Sequence, residues 1–190
     1  MEPILSKDFQ DQFYTLNGVE KEKVAEKAFH NLCRQVCPNI DIEKKKIYKG
    51  TPDGILTFKD RWIPVEVKRD VGPSPEMLAS MLLQDMMTAG HFLYNLNPYR
   101  GRFNFGGLIL TSMQFFVYIP REEVEKIIDE FEPLWTKYKS IIAPNEAFDD
   151  VPELAVWARQ AIRKLNYEIH HFVNNFRFDK VLDEILNPKN

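Results

Sequence analysis

The chain has 190 residues, of which 44% are hydrophobic and 28% charged, with a formal net charge of -3 and an isoelectric point near 5.9. That length suits one domain, residues 1–190, with a sizeable core. The acidic balance argues against a protein that coats nucleic acid through bulk positive charge, while leaving room for a local basic groove. Two cysteines, Cys33 and Cys37, are too few for a disulfide framework and point to a reducing, intracellular setting. No apolar run follows the first Met as a leader or reaches the length of a membrane span.

Residues 1–16 carry Ile4, Leu5, Phe9, Phe13, Tyr14 and Leu16, the pattern of a short helix or an arm packed on the body. Asn17 with Glu20 three places on forms a capping box, so a helix is expected from there to about Val36. On a wheel of about 100° per residue, Val24, Ala25, Ala28, Phe29, Leu32, Cys33 and Val36 make one apolar stripe. Glu22 falls inside that stripe. A carboxylate seldom sits in such a place without a partner, although the macrodipole alone favours glutamate in a first turn. Glu26 and His30, at i and i+4, are a second candidate pair. Cys33 reads as apolar packing, and Cys37 before Pro38 marks the helix end; with His170 and His171 far away, the pair lacks the spacing of a zinc site.

Pro38 to Gly50 reads as a first strand, with Lys44, Lys45, Lys46 and Lys49 interleaved with Ile42, Ile47 and Tyr48. Lysines on such a strand also suit a solvated edge. From Thr51 to Asp70, two apolar runs are separated by Lys59, Asp60 and Arg61, a hairpin turn that would carry Asp53 back beside Glu66. Residues i and i+2 of a strand share a face, so Glu66 and Lys68 project together while Ile63, Val65 and Val67 face the core. Gly72-Pro73-Ser74-Pro75 ends the strand, and Ser74 or Glu76 opens a helix to about Leu96 that is broadly apolar, as a helix covering a sheet should be. Asn97 to Gly101 is a loop, in which Arg100 and nearby Arg102 sit beside aromatic residues. That suits either phosphate contact and stacking or an ordinary turn. Strands are expected over Gly106–Thr111 and Gln114–Ile119, an amphipathic helix over Arg121–Lys139 and a loop over Pro144–Asp150. Leu154, Trp157, Ala161, Leu165, Ile169, Phe172 and Phe176 recur every three or four residues, marking one long C-terminal helix.

Two carboxylates brought together repel unless a cation lies between them. Hard oxygen ligands select Mg²⁺ or Mn²⁺, and Mg²⁺ takes one or two protein carboxylates plus water and phosphate oxygens. Such an ion polarises a phosphoryl group and lowers the pKa of a bound water. Lys68 would be the point charge beside the nucleophile or the developing negative phosphorane. The alternative is a solvated acid–lysine pair on a hairpin, worth at most about 1 kcal/mol.

Pro52-Asp53, Glu66 thirteen positions on, one intervening residue and Lys68 follow an order that resembles the PD-(D/E)xK nuclease superfamily. Gly18, Glu22, Ala25 and Phe29 are spaced like the first helix of its lambda-exonuclease-like branch, a group of phage and viral recombination nucleases. Thr51-Pro52-Asp53-Gly54 resembles that branch's SerProAspGly, and Gln84 falls in the helix where the branch carries a glutamine. The resemblance covers residues 18–119. It implies a restriction-endonuclease-like α/β core, a mixed central sheet flanked by helices in the order αβββαβ, followed by C-terminal helices over about 121–187. It also implies a Mg²⁺- or Mn²⁺-dependent nuclease in which Glu22, Asp53, Glu66 and the Val67 carbonyl place the metal, Lys68 assists the nucleophile and Gln84 orients it. The lysines of the first strand would border the substrate channel and neutralise phosphates. DNA is the first expectation for substrate, with a viral-type RNA endonuclease or a catalytically silent nucleic-acid-binding protein as alternatives. With 17 residues before Gly18, the branch's N-terminal region with its DNA-end-gripping arginine segment is not expected here, which weakens the expectation of processive digestion by a ring-shaped trimer.

Overall fold

The computed structural model describes residues 18–44, 47, 49–69, 71–94, 104–172 and 177–188. The N-terminal arm, the Asn17 cap, Lys45, Lys46, Tyr48, the loop with Arg100 and Arg102, and Phe176 lie outside the described residues. The elements in order are α1 (Gly18–Val36), β1 (Asp41–Glu43), β2 (Gly54–Phe58), β3 (Arg61–Val67), α2 (Pro75–Leu93), β4 (Gly107–Thr111), β5 (Phe115–Pro120), α3 (Arg121–Tyr138), α4 (Ala147–Asp150), α5 (Pro152–Lys164), β6 (Glu168–His171) and α6 (Phe178–Leu186).

The six strands make one mixed sheet in the order β1 to β6. Every neighbouring pair is antiparallel except β3 and β4. A parallel pair cannot be joined by a tight turn and needs a crossover, and α2 supplies it. The β2–β3 hairpin turns at Lys59, whose φ of 52° is the left-handed conformation that a two-residue hairpin demands.

Period-2 alternation divides the strand residues between two cores. Trp62, Leu108, Leu110, Phe115, Val117 and Ile119 face a core built with α2, α3 and α5. Ile63, Val65, Val67, Ile109 and Phe116 face a second core with α1 and α6. The α/β expectation therefore holds as a six-stranded mixed sheet with helices on both faces. Helix α2 starts on the Ser74 cap, whose Oγ accepts from the Met77 N–H at 3.2 Å. Among the described residues no helix is long and apolar enough to cross a membrane.

Three expectations need correction. The long C-terminal helix is three elements: α5 stops at Lys164, Glu168–His171 forms a sixth strand paired to β5, and α6 begins at Phe178. Leu154, Trp157, Ala161 and Leu165 do share one buried face, but beyond them the open edge of β5 offers backbone partners that outweigh the continuing apolar spacing. The first strand is shorter than Pro38–Gly50, with three residues in β1 and an isolated Ile47–Gly50 bridge beyond it. The segment expected as a loop after Pro144 also holds one short turn of helix, α4.

Candidate active site

The β2–β3 register pairs Gly54 with Val65, and one further step sets Asp53 opposite Glu66. The two strands close this end of the hairpin through a side chain, because Asp53 Oδ2 accepts the Val67 N–H at 2.7 Å. Glu66 has the parity of Trp62 and so faces the α2 side of the sheet, 3% exposed. Lys68 follows directly after β3 and is held by its own N–H donating to the Thr111 carbonyl of β4 at 2.9 Å.

Lys68 joins three elements. Its Nζ lies 2.6 Å from Glu66 Oε1, donates to Gln84 Oε1 of α2 at 2.9 Å, and sits 3.9 Å from Glu22 Oε1 of α1. These residues line one cleft of about 460 Å³ with Gly50, Thr51, Pro52, Asp53, Thr88, Pro144 and Asn145. The structure thus brings Glu22, Asp53, Glu66, Lys68 and Gln84 together. Glu22 departs from the expectation in one respect: its side chain is 48% exposed. The stripe of Ala25, Phe29 and Cys33 is buried as the wheel predicts, but its first turn overhangs the cleft, so the same helix face there meets solvent.

The electrostatics are those of too many acids for one base. Burial pushes Asp53 up to about 6, against the opposing pull of the Val67 N–H and Lys68. Burial, reinforced by the Asp53 charge, raises Glu66 well above the usual carboxylate range. Burial works to discharge Lys68, but the carboxylates of Glu66, Asp53 and Glu22 together outweigh it and hold the ammonium above its ordinary value. One lysine cannot neutralise two buried carboxylates, so the site retains a proton or attracts a cation. The contact with Lys68 leaves Glu66 Oε1 without a hydrogen bond of proper geometry. Asp53 and Glu66 are the pair able to hold a hard divalent ion, a number of carboxylates that suits Mg²⁺. Among the described residues no three His, Cys, Asp or Glu side chains form a ready-made metal cage, and Glu22 stands at the rim.

The other candidates lie elsewhere. Glu26 is taken by Lys44 at 2.6 Å, and His30 Nδ1 lies 3.9 Å from the same carboxylate. The His30 ring packs against Gly54, where a Cβ would come within 3.0 Å of Nε2. Cys33 is buried in the second core and Cys37 half-buried, while His170 and His171 sit on β6 at the far edge of the sheet. Sequence reasoning passed over Asp85, the residue after Gln84, which is 1% exposed with an Oδ2 that has no hydrogen-bond partner. An acid within the apolar run LLQDMMTAG was the available signal. Pro144 and Asn145 carried no such signal, because they reach the cleft only through the fold.

The chain matches no family model, no curated protein and no solved structure.

Proposed function

We propose that this protein is a Mg²⁺- or Mn²⁺-dependent nuclease that hydrolyses phosphodiester bonds of DNA, built on a restriction-endonuclease-like core. The observation that supports it best is the meeting of Asp53, Glu66 and Lys68 at one end of the β2–β3 hairpin, in a cleft that Glu22 and Gln84 also line. Side chains spread over more than sixty positions of sequence share a small volume, in the order that the PD-(D/E)xK resemblance implies.

In this reading Asp53 and Glu66 would hold the divalent ion together with the Val67 carbonyl, and the ion would supply charge for the phosphoryl oxygens and a water acidic enough to act at neutral pH. The Val67 N–H keeps Asp53 Oδ2 fixed, so the carboxylate presents its other oxygen. Lys68 stays charged beside Glu66 and is placed to steady the attacking water or the negative charge gathering on phosphorus. Gln84 orients the Lys68 ammonium through its Oε1. Glu22, at the rim, accepts from water entering the cleft.

The test is cleavage of labelled linear duplex DNA, circular single-stranded DNA and RNA with Mn²⁺ or with EDTA. Mn²⁺-dependent cutting of DNA is expected, abolished in Lys68→Ala and Asp53→Asn without loss of fold by circular dichroism. Full turnover in either variant would overturn the assignment, and cutting of RNA alone would move the substrate to the viral-type endonuclease class.

A further inference from the structure

Helix α2 carries Gln84 and Thr88 on the face that lines the cleft, and Asp85 lies beside them on its buried side. An aspartate in a helix interior is a poor helix former, and burying one without a partner costs several kcal/mol. Yet Asp85 is 1% exposed and its Oδ2 receives no hydrogen bond. One helical turn away, Met81, Leu82 and Ala89 are buried apolar residues and Thr88 is the one buried polar neighbour, so the packing of α2 supplies little reason for an acid here. A leucine at this position would suit that core better.

The second buried acceptor without a proper donor at this site is Glu66 Oε1. Burial, with the charges of Glu66 and then Asp53 adding to it, raises Asp85 well above the usual carboxylate range. The Val67 N–H and the Lys68 ammonium serve Asp53 and Glu66, and neither reaches Asp85 Oδ2, which is left without a donor. A hydrated divalent cation supplies what is missing, because Mg²⁺ and Mn²⁺ keep several of their waters and those waters donate hydrogen bonds to carboxylates around the direct ligands.

We infer that Asp85 is a positioning residue of the cation site, an outer carboxylate behind Glu66 that accepts from the hydration shell of the ion held by Asp53 and Glu66. This rests on the proposed cation site and adds to it an acid that the PD-(D/E)xK order does not include. Asp85 then sets how tightly and in what orientation the ion sits, without touching the scissile phosphate.

The experiment compares the wild-type chain with Asp85→Asn and Asp85→Leu, both checked for fold by circular dichroism. Two readouts are followed against Mn²⁺ concentration: the rise in melting temperature, and cleavage of labelled DNA. Removing an outer partner of a metal site typically weakens the metal by about 10–100-fold. Asp85→Asn is therefore expected to raise the half-saturating Mn²⁺ concentration about tenfold or more in both readouts, with the rate at saturating Mn²⁺ within a few-fold of wild type. Asp85→Leu is expected to melt at a higher temperature than wild type in EDTA and to gain less from Mn²⁺. Unchanged Mn²⁺ midpoints in both variants would overturn the inference while leaving the nuclease reading intact. Mn²⁺ stabilisation that depends on Asp85 in a chain that cuts nothing would support the inference and sink the nuclease reading. A wild-type chain that neither gains stability from Mn²⁺ nor cuts would sink both.

Discussion

Asp53 illustrates how a buried acid can work against the stability of the fold that holds it. Its carboxyl is displaced from an ordinary 3.8 to about 6 by burial. The sign follows from linkage: a raised folded-state pKa favours the protonated acid, so this group's stabilising contribution is complete below about 4 and lost as pH rises through about 6. The displacement corresponds to about 3 kcal/mol. In EDTA at pH 7.5, Asp53→Asn should therefore be more stable than wild type by up to about that amount, since Asn can still accept from the Val67 N–H. The difference should vanish as pH falls towards 4, and Mn²⁺ at pH 7.5 should narrow it. Urea denaturation of both chains across that pH range checks the prediction, and a difference that grows on acidification would contradict it.

Among the elements, α2 is the one the site depends on, because it is the β3–β4 crossover and also carries Gln84, Asp85 and Thr88. It is held from its outer side by α3. The Trp135 Nε1 of α3 donates to the Met87 carbonyl at 3.1 Å, and the indole lies so close to Gly90 that a Cβ there would meet it at 2.3 Å. Glycine at 90 is thus a packing requirement rather than a matter of backbone freedom. Gly90→Ala should force α2 and α3 apart and cost about 1–3 kcal/mol, seen as a lower urea midpoint with altered tryptophan fluorescence. Normal stability in that variant would mean that Trp135 relocates easily.

For the molecule as a whole, the cleft sits at one end of the sheet between two helical layers. Glu22 comes from the α1 side and Gln84 from the α2 side, so the site is complete only while both layers stay on the sheet. Helix α6 helps to hold α1 there. Phe178 lies 5.9 Å from Phe29 and 5.3 Å from Phe116 by ring centroids, and Arg61 Nη1 donates to the Ile185 carbonyl at 2.6 Å. Phe178→Ala should cost about 3–5 kcal/mol. By hydrogen exchange it should open α1 ahead of α2, because only the second core loses packing. Equal loss of protection in both helices would indicate that the two cores unfold as one.

The hairpin part of the candidate site was legible in the linear chain because it is local: the two-residue β2–β3 turn brings Asp53 to Glu66 and strand alternation sets Glu66 and Lys68 on one face, whereas Glu22 and Gln84 reach Lys68 only through the packing of α1 and α2. The apolar stripe of α1 and the broad burial of α2 were legible for the same reason, as periodicity records which face a helix hides. What needed the tertiary structure was every choice between equal local options. The spacing that suggested one helix from Val151 gave way to a sixth strand because β5 had a free edge, and Glu22, on a buried face by its wheel, is exposed because the sheet ends beneath it. Asp85 was visible as a letter, but only the packing of α2 showed it buried next to Gln84 with no hydrogen bond to its Oδ2. Pro144 and Asn145 line the cleft through contacts across almost a hundred residues of chain, a distance over which no pattern in the sequence carries.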